Sequence, residues 1–166
     1  MIGWQRRLVV AAFGGLLALA ACGGSSNKNA ASTTTTTAPT TTLTEQQNKD
    51  AISKVYTDFF NGANSDLNAK LQLLDDPAKY SNVYMKFAND PTTGPELKGA
   101  SATVSNVQLN PDGTAEVTYT LNLNGTPTLT DQKGKAVQVN GQWRVSGTTF
   151  CDLAALGATE TDPACA

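Results

Sequence analysis

Residues 114–126 read Thr-Ala-Glu-Val-Thr-Tyr-Thr-Leu-Asn-Leu-Asn-Gly-Thr, and this stretch decides the fold class. Ala115, Val117, Tyr119, Leu121 and Leu123 alternate with Glu116, Thr118, Thr120 and Asn122. A period of two over this length predicts a β-strand with one buried face. Asn124-Gly125 closes it with the dipeptide that two-residue hairpins favour, because both residues tolerate positive φ. Upstream, Asn110-Pro111-Asp112-Gly113 is a turn. Before that turn, Ala102 and Val104 share one parity and Val107 and Leu109 the other, which predicts a bulge at Ser105-Asn106. Downstream, Pro127 weakens the following strand and Asp131–Gly134 reads as loop. Val137 and Val139 lead into a second hairpin signal, Asn140-Gly141, and Trp143 and Val145 begin a last strand expected to reach Phe150. Cys151–Leu156 reads as a short closing helix ended by Gly157.

On the N-terminal side of Gly99 the period is 3.6. Thr44 and Gln47 have the spacing of a capping box, with Glu45 in the first turn. Ile52, Val55, Tyr56, Phe59 and Phe60 then form one apolar stripe, and Asn61-Gly62 stops the helix. A second, short helix starts at Ser65 or Asp66, with Leu67, Leu71 and Leu74 on one side. A third starts at Pro77 behind an Asp76 cap and carries Tyr80, Val83, Tyr84 and Phe87 before Asn89-Asp90-Pro91 ends it. Thr92–Gly99 reads as a loop. The expected class is α+β: three N-terminal helices packed on a curved antiparallel sheet, cone-like, with a short C-terminal helix.

The first 43 residues carry a different message. Arg6 and Arg7 precede an apolar run from Leu8 to Leu19, 12 residues long. That is the pattern of a signal peptide and is shorter than the roughly 17–25 residues a membrane span takes. Leu19-Ala20-Ala21-Cys22-Gly23 resembles the bacterial lipobox, in which cleavage precedes a cysteine that then carries lipid. The expected organisation is a signal peptide over 1–21, a lipidated Thr-rich tether over 22–43, and a cone-like α+β domain over 44–166. As a flexible coil the tether spans roughly 25 Å. Cys22 is thus the expected lipidation site, acylation with palmitate-like chains the expected anchor, and the cell membrane the expected location, on its outer side.

Composition restricts the chemistry. The 166 residues contain no histidine, which removes His-based triads and His metal sites; no metal site and no cofactor are expected. Lys+Arg is 12 and Asp+Glu 14; losing Arg6 and Arg7 with the leader leaves 10 against 14, net −4. Such a domain has no general affinity for nucleic acid, and its partners are expected in the envelope. Of three cysteines, acylation of Cys22 leaves Cys151 and Cys165, an even remainder that points to a disulfide in an exported protein. Closing that loop of about 15 residues is worth roughly 3 kcal/mol in the chain-entropy account.

The closing segment Val139-Asn140-Gly141-Gln142-Trp143-Arg144-Val145-Ser146 resembles the terminal hairpin of nuclear transport factor 2-like cone folds. Thr149-Phe150-Cys151-Asp152-Leu153-Ala154-Ala155-Leu156, taken with the lipobox, the Thr-rich tether and Cys165, looks like the actinobacterial low-molecular-weight antigen family, lipoprotein members included. The resemblance covers about residues 44–166. It implies an exported envelope antigen and hands over no catalytic residues. Cone folds often enclose a pocket, and its candidate lining here is Tyr56, Phe60, Tyr84, Phe87, Tyr119 and Trp143. No acidic residue is placed to face that pocket, so the expected role is non-catalytic: binding of a partner protein or an apolar small molecule. Two alternatives stay open, an enzyme acting on an apolar substrate in the cone and an antigen or spacer without a specific ligand.

Overall fold

The computed structural model describes residues 43–157, residue 160 and residues 162–166. The expected signal peptide, the lipid site at Cys22 and nearly all of the tether lie outside the described residues.

Helix α1 (Glu45–Phe59) opens with the capping box: the Thr44 hydroxyl accepts from the Gln47 N–H at 3.2 Å, and the Gln47 side chain accepts from the Thr44 N–H at 2.8 Å. Its stripe, Ile52, Val55, Tyr56 and Phe59, is buried. Helix α2 (Leu67–Leu71) is capped by Asp66 and α3 (Pro77–Asn89) by Asp76, with Pro77 at the first turn, where its missing N–H costs nothing.

The strands β1 (Ala100–Leu109), β2 (Thr114–Leu123), β3 (Thr126–Val139) and β4 (Gln142–Val145) form one curled antiparallel sheet in the order β1-β2-β3-β4. The register shift between Val104 and Asn106 is the bulge that the parity change predicts. Asn124 (φ 51°) with Gly125 (φ 79°), and Asn140 (φ 52°) with Gly141 (φ 76°), make the two tight hairpins. Positive φ at both central residues matches the right-handed twist of the strands they join.

Three segments differ from expectation. Thr92–Gly99 contains a helix, α4 (Thr93–Lys98). The Asp90 carboxylate accepts from the N–H groups of Thr92 and Thr93 at 2.8 and 2.9 Å, and Pro95 falls in the first turn, where no intrahelical N–H is needed. Next, β3 runs unbroken through Asp131–Gly134 for 14 residues. Asp131 takes φ 53°, and the pairing with β2 shifts around Leu121, so irregularity is absorbed as bulging. Pro127 is tolerated because β3 pairs with β4 only over Ala136–Val139, leaving its other edge open there. Finally, the last strand ends at Val145, and helix α5 (Gly147–Gly157) takes up Phe150. The Ser146 hydroxyl accepts from the Thr148 N–H at 3.2 Å, and the Asp75 carboxylate accepts from the Gly147 N–H at 2.9 Å, together starting the helix.

The exposed edge of β4 is covered by the link between α2 and α3. Val145 N–H donates to the Leu73 carbonyl at 2.8 Å, and Asp75 N–H donates to the Val145 carbonyl at 3.1 Å. An edge paired in this way cannot recruit a second chain. Helix α1 contacts both edge strands, β1 and β4. The core beneath it joins Ile52, Tyr56 and Phe59 to Val107, Val117, Tyr119, Val145 and Phe150. Each large apolar side chain buried there contributes about 1.5–3 kcal/mol.

Candidate functional site

A cavity of about 660 Å³ opens beside the C-terminal end of α1. That falls within the roughly 300–1,000 Å³ of small-molecule sites. Its walls come from six places. Phe59 and Phe60 end α1, Leu67 and Lys70 lie on α2, Tyr84 and Phe87 lie on α3, Leu97 lies on α4, Leu121 and Leu129 lie on the sheet, and Phe150, Leu153 and Leu156 lie on α5. The convergence has local causes. Gly62, just after α1, donates its N–H to the Ala100 carbonyl at 2.8 Å, tying the end of the helix to the start of β1. A Cβ on Gly62 would run into the backbone of Leu97 and Lys98, so a glycine lets α4 approach this closely. On the far side, Phe150 packs edge-on against Phe59, with ring centroids 6.4 Å apart, and lies 5.8 Å from Tyr84.

The walls are mainly aliphatic and aromatic. Leu97 and Leu156, 40% and 65% exposed, hold apolar surface out in water at this cavity. The polar groups are few. Burial pushes the Tyr84 hydroxyl up to about 12, so at neutral pH it remains a protonated hydrogen-bond donor and offers no base. Glu96 and Lys98 line the cavity and are exposed. Lys70, at the end of α2, is 7% exposed, and burial lowers its ammonium below the usual range.

Of the six aromatic residues expected at a pocket, Phe60, Tyr84 and Phe87 line this one. Tyr56, Tyr119 and Trp143 do not. Tyr56 and Tyr119, 0% and 1% exposed, fill the core, their rings 5.3 Å apart. Burial raises both hydroxyls above the ordinary tyrosine value, with the Asp152 charge adding to the shift of Tyr119. The indole N–H of Trp143 donates to Asn48 Oδ1 at 2.8 Å. Asn48 lies in the first turn of α1, about 16 Å along the axis from Phe59 at helical rise, so Trp143 and the cavity occupy opposite ends of that helix. Cys151 and Cys165 stand at disulfide distance, with Cα atoms 5.4 Å apart. They join α5 to the 3₁₀ turn Pro163–Cys165, which contacts α3.

Sequence reasoning missed Lys70, Leu97, Phe150, Leu153 and Leu156. For Lys70 a signal exists. Leu67, Lys70, Leu71 and Leu74 follow the i, i+3, i+4, i+7 pattern, so a lysine occupies an otherwise apolar stripe.

The family model described as low molecular weight antigen MTB12, C-terminal domain, matches residues 45–161. The chain belongs to this family. No curated protein gives a significant match. The match spans every wall of the cavity, from Phe59 to Leu156. Membership in an antigen family points to a secreted or envelope protein, and none of the helices among the described residues is long and apolar enough to cross a membrane.

Proposed function

We propose that this antigen-family protein is a lipid-anchored envelope binding protein whose cavity takes an apolar small molecule, without catalysis. The observation that carries the reading is the 660 Å³ cavity with leucines exposed beside it. A protein with no occupant gains from closing such a surface, since removing apolar area from water contributes roughly 25 cal/mol per Å². Tyr84, held protonated, suits recognition better than proton abstraction, and the acid at the cavity, Glu96, is exposed to water. The cone-like reading fits α1 bridging the two edges of the curled sheet.

In this reading residues 1–21 are removed on export, Cys22 carries the acyl chains, and residues 22–43 hold the domain over residues 44–166 just off the bilayer. Native mass spectrometry of the protein extracted from its own envelope tests the binding role. Reproducible apolar adducts are expected, lost when Leu97 and Leu156 are both changed to arginine. A consistently ligand-free protein would remove the reading. The anchor is tested separately: Cys22→Ala should abolish acylation and release the chain from the membrane fraction while leaving the domain's stability unchanged.

A further inference from the structure

Lys70 is the buried charged residue in the cavity wall, and the fold gives its head no partner among the described residues. The ion pairs among the described residues, Lys49–Glu45 and Lys54–Asp58, lie on α1 and do not involve it. Its ammonium donates to no side chain or carbonyl among the described residues, although 93% of the residue's surface is covered. Three other polar wall groups have work of their own, and Ser65, Tyr84, Glu96 and Lys98 are less covered than Lys70. Asn64 Oδ1 accepts from the Asp66 N–H at 2.9 Å, Thr93 Oγ1 donates to the Phe87 carbonyl at 2.9 Å, and Asn89 Nδ2 donates to the Met85 carbonyl at 2.8 Å. A lysine enclosed to this degree without a counter-charge of its own is costly, and sequences retain one rarely. No side-chain nitrogen or oxygen among the described residues is both sealed from solvent and unpaired. The Lys70 head therefore meets space that solvent enters, and the cavity is the space it lines.

From this we infer that the cavity binds a single-chain amphiphile with a carboxylate head, a long-chain fatty acid, its chain against Phe60, Phe87 and Leu153 and its carboxylate paired with Lys70. The inference rests on the binding role proposed above and specifies its ligand class. One ammonium matches a monoanion. Its three donors meet the acceptors that a carboxylate offers, and a charge-assisted bond is stronger than a neutral one. Lys98 against Glu96 adds no net charge at the cavity, so Lys70 sets the sign. The attraction also opposes the lowering that burial imposes on Lys70, so acid and lysine hold each other in their charged forms.

The test uses the intact exported chain and two photoreactive probes of equal length, hexadecanoic acid and hexadecanol, each with a diazirine near the chain end. After irradiation, digestion locates the label. Labelling of peptides containing Phe87, Leu97 or Leu153 is expected, about tenfold stronger with the acid. Lys70→Met should erase that preference and leave the alcohol's labelling unchanged. Unlabelled hexadecanoic acid should compete better than lysophosphatidylglycerol. Equal labelling by acid and alcohol in the unmodified protein overturns the carboxylate assignment while sparing the binding role. So does competition by the lysophospholipid alone, or an acid preference that survives Lys70→Met. Absence of label from the cavity peptides with both probes overturns the binding role itself. The comparison of acid with alcohol in the unmodified protein needs no variant, so it stands however Lys70→Met folds.

Discussion

Tyr56 reaches over Gly134: its hydroxyl donates to the Lys135 carbonyl at 3.0 Å, and that same hydroxyl fills the space a side chain at 134 would need. A Cβ there would also come within 2.9 Å of Thr149 Cγ2 and 3.1 Å of Tyr119 Cε1. Gly134→Ala should therefore overpack the centre of the fold and cost about 1–3 kcal/mol. The measurement is the urea midpoint; an unchanged midpoint would mean that α1 does not seat against β3 as described.

Tyr56→Phe removes the hydroxyl and keeps the ring. Thr149 Oγ1 still serves the Lys135 carbonyl at 3.3 Å, so the loss is partly covered. The expected cost is about 1 kcal/mol, read from the same midpoint.

Alkaline solution should unfold the protein early. Burial holds Tyr84 protonated to about pH 12 and raises Tyr56 and Tyr119 as well, whereas in the unfolded chain each ionises near 10. Above pH 10 the unfolded state binds fewer protons than the folded one. The stability these groups contribute is complete below pH 10 and is lost as pH rises through their folded values. Lys70 has the opposite sign: its folded value is lowered, so between that value and about 10.5 it adds stability as pH rises. Denaturant midpoints recorded from pH 8 to 12 should fall steeply at the top of the range, and Tyr84→Phe should flatten part of the fall.

Lys70→Met should make the empty protein more stable at pH 7, by about 1 kcal/mol, because an unpaired ammonium is exchanged for a side chain that suits an apolar wall. Thermal melting of the ligand-free protein is the check. A loss of stability would indicate that Lys70 has a stabilising partner within the fold.

Replacing Cys151 and Cys165 together by serine should cost about 3 kcal/mol, the value for a loop of this length. The effect should be local as well. Amide exchange should quicken across Phe150–Leu156, the α5 segment that walls the cavity, before the sheet is affected.

Much of the fold can be read from single residues. The parity change between Val104 and Val107 exposes the bulge, Thr44 with Gln47 announces the start of α1, and Asn140-Gly141 places the last hairpin. These are local devices, and local sequence states them. Where reading failed, the sequence carries a conflicting local cue. Gly94 and Pro95 speak against the helix they inhabit, Pro127 and Gly134 interrupt a strand that continues, and Thr148 and Thr149 have the β-branched chemistry of a strand inside the first turn of α5. The cavity was legible only in three of its five aromatic wall residues. Phe60, Tyr84 and Phe87 share a wall because α1 and α3 both end beside α4, a long-range arrangement that no spacing encodes. Trp143 misled because its strand belongs to the other end of the same helix.

Each strand of this sheet is hydrogen-bonded to the one that follows it in the chain. Pairing of that kind needs only short loops to close, and short loops close quickly and with little entropy lost. The slow step left over is the return of α1, whose Asn48 must find Trp143 some 95 positions away. A chain threaded outward from its N-terminus would thus carry a greasy helix covered on one side by β1 and bare on the other until the last hairpin arrives, and that interval, rather than the finished molecule, is when it would most need a chaperone's protection.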